Sequence, residues 1–204
     1  TGMAVLLRYK GRPIDFWMED RPNGTPMSAT ELERKIQKRA EKRLLRERMR
    51  QETGQPTCPD RLPSLTVAIC TQDRPARLAR CLDGLKAMRE SEAAHAFDTR
   101  TLDRLDILVV DNAPSDAQTR KEVEKRPGVR YVREPKPGLD FARNRALQEA
   151  TGELIAYIDD DVVVDTGWLA GLLEAWTENP DAAAFTGLVL PHELETEAQL
   201  IFEE

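Results

Sequence analysis

The chain has 204 residues, 40% hydrophobic and 32% charged, enough for one sizeable core and an appendage. Its net charge of −6 argues against general nucleic-acid binding, and no apolar run is long enough to span a bilayer. No signal-peptide pattern opens the sequence, and Cys58, Cys70 and Cys81 form no CxxC pair, so a reducing cytoplasm is the simplest compartment.

Residues 3–20 hold two apolar stretches on either side of Lys10, Gly11, Arg12 and Pro13, which predicts a small hairpin with Gly11 in its turn. Residues 21–26 read as a loop. Residues 28–53 read as a helix, since Ser28 and Glu31 fit a capping box and Gly54 fits the position past its end. Leu32, Ile36, Ala40, Leu44 and Met49 form a narrow apolar stripe on it, expected to pack on the main domain. The excess of basic residues leaves a second reading open, a partner or membrane-surface helix. Interspersed Glu31, Glu33, Glu41, Glu47 and Glu52 weaken that reading. Pro56, Pro59 and Pro63 mark residues 55–63 as a linker. Residues 1–54 are therefore expected to form an N-terminal extension, and residues 64–204 the main domain.

A new pattern follows the linker. Residues 65–70 read as a strand, and Pro75 suits the first position of a helix whose buried face is Leu78, Cys81, Leu82, Leu85 and Met88. Residues 90–102 are a polar connection. A second strand spans 105–110, Asp116 is placed to cap a short helix through Val123, and a third strand spans 129–132. Asp140 is placed to cap a helix ending at Gly152. A strand over 154–158, a helix over 167–177 and a further strand over 183–190 complete the pattern. Alternating strands and helices predict an α/β fold, a mostly parallel sheet covered on both faces.

Asp159, Asp160 and Asp161 stand between two apolar runs. Desolvated carboxylates repel one another unless a cation or hydrogen-bond donors offset them, and a hard divalent ion such as Mg²⁺ or Mn²⁺ prefers oxygen ligands. The plainer alternative is an acidic turn with one Asp capping the next helix. A parallel sheet brings the polar strand ends, residues 71–74, 111–116 and 159–161, to one edge. That juxtaposition predicts a crevice for a nucleotide and a metal rather than three separate caps.

Other chemistries lack their residues. No GxGxxG follows a strand and no P-loop is present. The two histidines, His95 and His192, have no partners at zinc spacing and read as surface residues, and no Ser/His/Asp or Cys/His nucleophilic set is visible. What remains is metal-assisted electrostatics on an anionic substrate, a diphosphate.

Residues 65–190 resemble the nucleotide-binding half of glycosyltransferase family 2, whose fold is GT-A. The resemblance rests on VAICTQDRPARLARCLDGL (67–85), DILVVDNAPSD (106–116), GLDFARNRALQEATGELIAYIDDD (138–161) and the VVVDTGWL that follows. It implies an inverting transferase that moves a hexosyl or related glycosyl group from a nucleotide-diphosphate-sugar to a glycan, lipid or small-molecule acceptor. It further implies that Thr71, Asp73 and Arg74 line the base and ribose pocket. Asp111 and Asn112 fall where the family reads the base, Asn112 replacing an acid common there. Arg143 falls near the base or diphosphate, where its plainer alternative is an ion pair with Glu149 or Asp140. Residues 159–161 match the DXD element, with Asp161 on the metal, Asp159 nearer the ribose or the metal's waters, and Asp160 beside the nucleotide. The family's catalytic base lies downstream of that element. None of Glu193, Glu195, Glu197, Glu203 and Glu204 matches it, so the domain is expected to be incomplete at its C-terminal side and slow or hydrolytic by itself.

Two other functions stay open on the sequence. One is a non-catalytic nucleotide-sugar-binding or partner-docking module that uses the helix over 28–53. The other is a nucleotidyltransferase, disfavoured because residues 70–74 lack the Gly-rich phosphate loop.

Overall fold

A computed structural model describes residues 2–21, 25–53, 62–91 and 105–192. They fall into two compact units, one within residues 1–57 and 186–204, the other within residues 58–185.

In the first unit, β1 (Gly2–Tyr9) pairs antiparallel with β2 (Arg12–Asp20). Lys10 and Gly11 form the connection at φ 47° and 84°. Two consecutive left-handed residues match the twist of the strands, which explains the glycine. Helix α1 (Ala29–Thr53) opens as expected: the Glu31 N–H donates to Ser28 Oγ at 3.2 Å. The expected C-terminal Gly54 lies outside the described residues. The apolar stripe of α1 meets the hairpin of its own unit, with Ala40 and Trp17 buried. Leu32, Ile36 and Leu44 are half-buried, but Met49 is 55% exposed. Met49 lies five residues beyond Leu44, about 140° around the helix, and so leaves the stripe. Asp15, buried in β2, accepts from Arg39 Nε at 3.2 Å and Arg43 Nη1 at 2.5 Å, and Lys35 pairs with Glu19.

In the second unit, β3 (Leu65–Thr71), β4 (Leu105–Asn112), β5 (Val129–Glu134) and β6 (Leu154–Asp159) form a parallel sheet in the order β5-β4-β3-β6. Helices α2 (Pro75–Arg89), α3 (Gln118–Glu124), α4 (Leu139–Glu149) and α5 (Trp168–Glu178) cover it. The period-two alternation of each strand sorts its residues between two cores. Val67, Ile69, Ile107, Val109 and Ile158 pack with Leu78, Leu82, Leu85 and Met88 of α2, Val123 of α3 and Leu169 and Leu173 of α5. Ala68, Leu108 and Val110 pack on the other face with Ala142 and Ala146 of α4. This is the expected α/β layering, and all five residues predicted for the inner face of α2 are buried. Leu62 and Pro63, at the end of the Pro-rich stretch, are buried too, Leu62 within the larger core. The rest of that stretch, with Cys58, and the connection holding His95 lie outside the described residues.

Three expectations need correction. The strand over 183–190 does not form: these residues pair with no strand among the described residues, and Leu188 and Val189 are 66% and 81% exposed. An apolar run becomes a strand only where a neighbouring edge receives its backbone groups. Asp140 does not cap α4. It lies inside the first turn, and Gly138, at φ 129°, holds the cap position, while the helix ends at Glu149. Asp116 sits one place before the cap of α3, where its Oδ1 accepts from the Gln118 N–H at 2.8 Å.

The edge of the sheet away from the carboxyl strand ends is held by a polar clasp. Asp106 accepts from Arg130 Nε and Nη2, both at 2.7 Å, and from the hydroxyls of Thr66 and Thr151, both at 3.0 Å. Gly152 closes this clasp: a Cβ there would lie 2.5 Å from the Thr66 nitrogen.

Candidate active site

Chain order sends β4 and β5 to one side of β3 and β6 to the other, so the carboxyl end of β3 is the switch point of the sheet. Crevices open at such points because the connections leave in opposite directions. Register places Thr71 beside Asp111 and Cys70 beside Asp159. The three predicted polar strand ends therefore share one edge.

The triplet divides by alternation. Asp160 continues the face of Ile158 toward β3 and α2 and its side chain is 5% exposed. Its Oδ2 accepts from Thr71 Oγ1 at 2.6 Å and its Oδ1 lies 3.4 Å from Arg74 Nη1. Asp159 faces the α4 side, 70% exposed, with its Oδ1 3.8 Å from Arg143 Nη2. Asp161, in the turn beyond the strand, is 46% exposed and pairs with Arg77 Nη1 at 3.1 Å. Arg143 thus pairs with neither Glu149 nor Asp140. Its guanidinium crosses to Asp159 and lies 5.9 Å over the Tyr157 ring, while Glu149 is taken by Arg145.

Asp111 is fully buried. Its Oδ2 accepts from the Tyr131 hydroxyl at 2.8 Å, and among the described residues its Oδ1 has no partner within hydrogen-bond geometry. Burial raises its pKa, an effect opposed by the hydrogen bond from Tyr131 and reinforced by nearby Asp73. Its neighbour Asn112 points to the other face and is committed to a loop: Nδ2 donates to the Lys136 carbonyl at 2.6 Å, and Oδ1 accepts from the Gly138 N–H at 2.8 Å. That loop leads into α4 and hence to Arg143. Asp73, at φ 53°, accepts from the Ser115 N–H at 2.9 Å and ties the loop after β3 to the loop after β4. Cys70 borders Asp159, but burial pushes its thiol up to about 11, and that of buried Cys81 to about 12. Neither is a thiolate nucleophile at neutral pH.

Sequence reasoning did not single out Arg77 or Tyr131. Arg77 lies three residues after Arg74 on α2 and so rises over the same strand ends, a spacing readable in advance. Tyr131 needed the β4–β5 register, which no local pattern carries.

The metal expectation can be set against this donor set. Among the described residues, no group of three or more His, Cys, Asp or Glu comes together to hold an ion. Asp159 and Asp161 are exposed hard-oxygen donors whose partners are solvent-accessible arginines. Mg²⁺-type ions commonly take one or two carboxylates and complete their shell with phosphate and water. Asp159 and Asp161 fit a metal of that kind, which would take its remaining ligands from phosphate and water. Among the described residues no helix is long and apolar enough to cross a membrane.

The chain is 34% identical over 139 residues to the succinoglycan biosynthesis protein ExoM of Rhizobium meliloti (strain 1021), covering 66% of this chain and 41% of that one. It is 32% identical over 63 residues to the glucosyl-dolichyl phosphate glucuronosyltransferase of Haloferax volcanii, covering 31% of this chain and 20% of that one. The mannosyltransferase PcManGT of Pyrobaculum calidifontis, solved with GDP-Man and Mn²⁺, superposes with a TM-score of 0.47 at 24% identity, over 65% of this chain and 39% of that one. The chain therefore spans less than half the length of these relatives. The profile of glycosyl transferase family 2 matches residues 66–197, from the start of β3 through the acidic triplet and beyond α5, and the chain belongs to that family.

Proposed function

We propose that this chain is the donor-binding part of an inverting glycosyltransferase that uses a nucleotide-diphosphate-sugar and a divalent metal. One observation carries the reading. At the switch point of the sheet, Asp160 is locked beneath Thr71 while its neighbours Asp159 and Asp161 stay exposed beside arginines.

The base and ribose lie against Thr71, Asp73, Arg74 and the Asp111–Asn112 pair, and the diphosphate against Arg143 and the exposed acids. A Mn²⁺ or Mg²⁺ ion held by Asp161 and Asp159 would offset the charge of the diphosphate oxygens. As the sugar–oxygen bond breaks, the guanidinium of Arg143 faces the charge that develops on the leaving nucleoside diphosphate. Single attack on the anomeric carbon inverts its configuration. Asp160, buried and held by Thr71 and Arg74, fixes the turn that presents its neighbours. The acceptor is a glycan, lipid or small molecule, and no described residue is assigned as the base that deprotonates it.

The test is calorimetric titration with GDP, UDP and dTDP, with and without Mn²⁺. Binding is expected to depend on the metal. Asp161→Asn should abolish that dependence and leave the melting temperature nearly unchanged, because the side chain is half-exposed. Nucleotide binding that ignores the metal in both proteins would sink the reading.

A further inference from the structure

Each acid of the triplet faces one arginine, and the three pairs are not equivalent. Arg74 meets a buried carboxylate already fixed by Thr71. Arg143 stands 3.8 Å from Asp159 and also covers Tyr157. Arg77 meets Asp161 at 3.1 Å, with the two side chains 53% and 46% exposed. Such an exposed pair adds little stability and opens readily.

The position of Arg77 is unfavourable by itself. It is the third residue of α2, where unpaired N–H groups and the helix dipole make the environment positive. A cation there is opposed by the helix unless an anion accompanies it, and Asp161 is that anion. Arg80, three residues on, is also cationic and exposed, and pairs with none of the three acids.

We infer that Arg77 is an internal counter-cation for Asp161, which it holds until a divalent cation takes the carboxylate, and that it then turns to the diphosphate accompanying that cation. The inference rests on the proposed reading of Asp161 as a metal ligand. Guanidinium and metal compete for one carboxylate, so the chain binds the ion weakly when no nucleotide is present. Once the ion is seated, the freed guanidinium adds a positive group for the phosphates. Metal and nucleotide binding become mutually dependent, as linkage requires of two ligands that favour the same rearrangement. Arg77 is a positioning residue for the metal and a contact for the nucleotide, beyond the reach of a purely structural ion pair.

The experiment measures Mn²⁺ uptake by electron paramagnetic resonance of the free aqua ion, on the full 204-residue chain, without nucleotide and at low and high salt. Arg77→Gln should bind Mn²⁺ about three- to tenfold more tightly at low salt, the difference narrowing at high salt. With Mn²⁺ saturating, the same variant should bind GDP and UDP more weakly in calorimetry. Arg77→Lys should restore parental Mn²⁺ affinity, and Arg80→Gln should leave it within about twofold. Equal shifts in Arg77→Gln and Arg80→Gln would reduce the effect to general surface charge and overturn the inference, as would an unchanged Mn²⁺ affinity in Arg77→Gln. If the parent chain takes up no Mn²⁺ with or without GDP or UDP, the reading of Asp161 as a ligand fails first.

Discussion

The Thr71 hydroxyl donates to Asp160 Oδ2 at 2.6 Å, joining the end of β3 to the turn after β6. The bond ties a carboxylate of 5% exposure to the strand at the switch point of the sheet. Removing the donor leaves a buried charged acceptor with Arg74 as its remaining partner. Thr71→Val should therefore cost about 1–3 kcal/mol in urea denaturation, whereas Thr71→Ser should cost much less. Equal stability of Thr71→Val and the parent would show that the bond contributes nothing.

Asn112 is expected to behave as a clamp on the loop before α4. In Asn112→Asp the bond to the Gly138 N–H survives, but a carboxylate oxygen faces the Lys136 carbonyl where a donor stood at 2.6 Å. The expected cost at neutral pH is about 1–3 kcal/mol. Nucleotide binding should weaken with it, because the loop sets the start of the helix that carries Arg143. In acid the new side chain protonates and can donate again, so its deficit against the parent should shrink as pH falls. A deficit independent of pH would refute the clamp.

The polar clasp at the opposite edge makes a pH-dependent contribution. The Arg130 guanidinium holds the carboxyl of Asp106 below its usual value, and the hydroxyls of Thr151 and Thr66 act the same way. A depressed folded-state pKa stabilises the protein above the unfolded-state value of about 3.9. That contribution fades as pH falls below this value and is gone below the folded-state pKa. Asp106→Asn should lose about 1.5–3 kcal/mol at pH 7. It should also lose part of the acid sensitivity of the urea midpoint as pH falls below about 4, as titration of both proteins would reveal.

Gly152 has no room for a side chain. A methyl group would meet the Thr66 nitrogen at 2.5 Å and the Leu154 carbonyl oxygen at 2.8 Å, both of them backbone atoms that cannot swing aside. Gly152→Ala should cost about 1–3 kcal/mol, or more if the clasp around Thr66 opens. A melting temperature equal to the parent's would mean that the turn before β6 relaxes freely.

Much of this protein is legible along the chain because its signals are local. The apolar spacing of α2 named all five of its buried residues, and Gly11 marked the hairpin turn before any strand was paired. Alternating elements implied a parallel sheet, and a parallel sheet by its direction brings like ends of strands together. The collection of Thr71, Asp111 and the acidic triplet at one edge thus followed from connectivity alone. Tertiary structure decided how those residues divide their work. Three adjacent aspartates look alike in sequence, yet Asp160 is buried under Thr71 while Asp159 and Asp161 face opposite helices and different arginines. The same holds for Asn112, whose amide meets backbone from residues 24 and 26 positions later. Residues 183–190, apolar enough to suggest a strand, found no edge to pair with among the described residues. Periodicity and turn chemistry act over a few residues, whereas burial, register and ion pairing depend on which distant segment arrives alongside. That arrival is a property of the packed sheet, not of any window of the sequence.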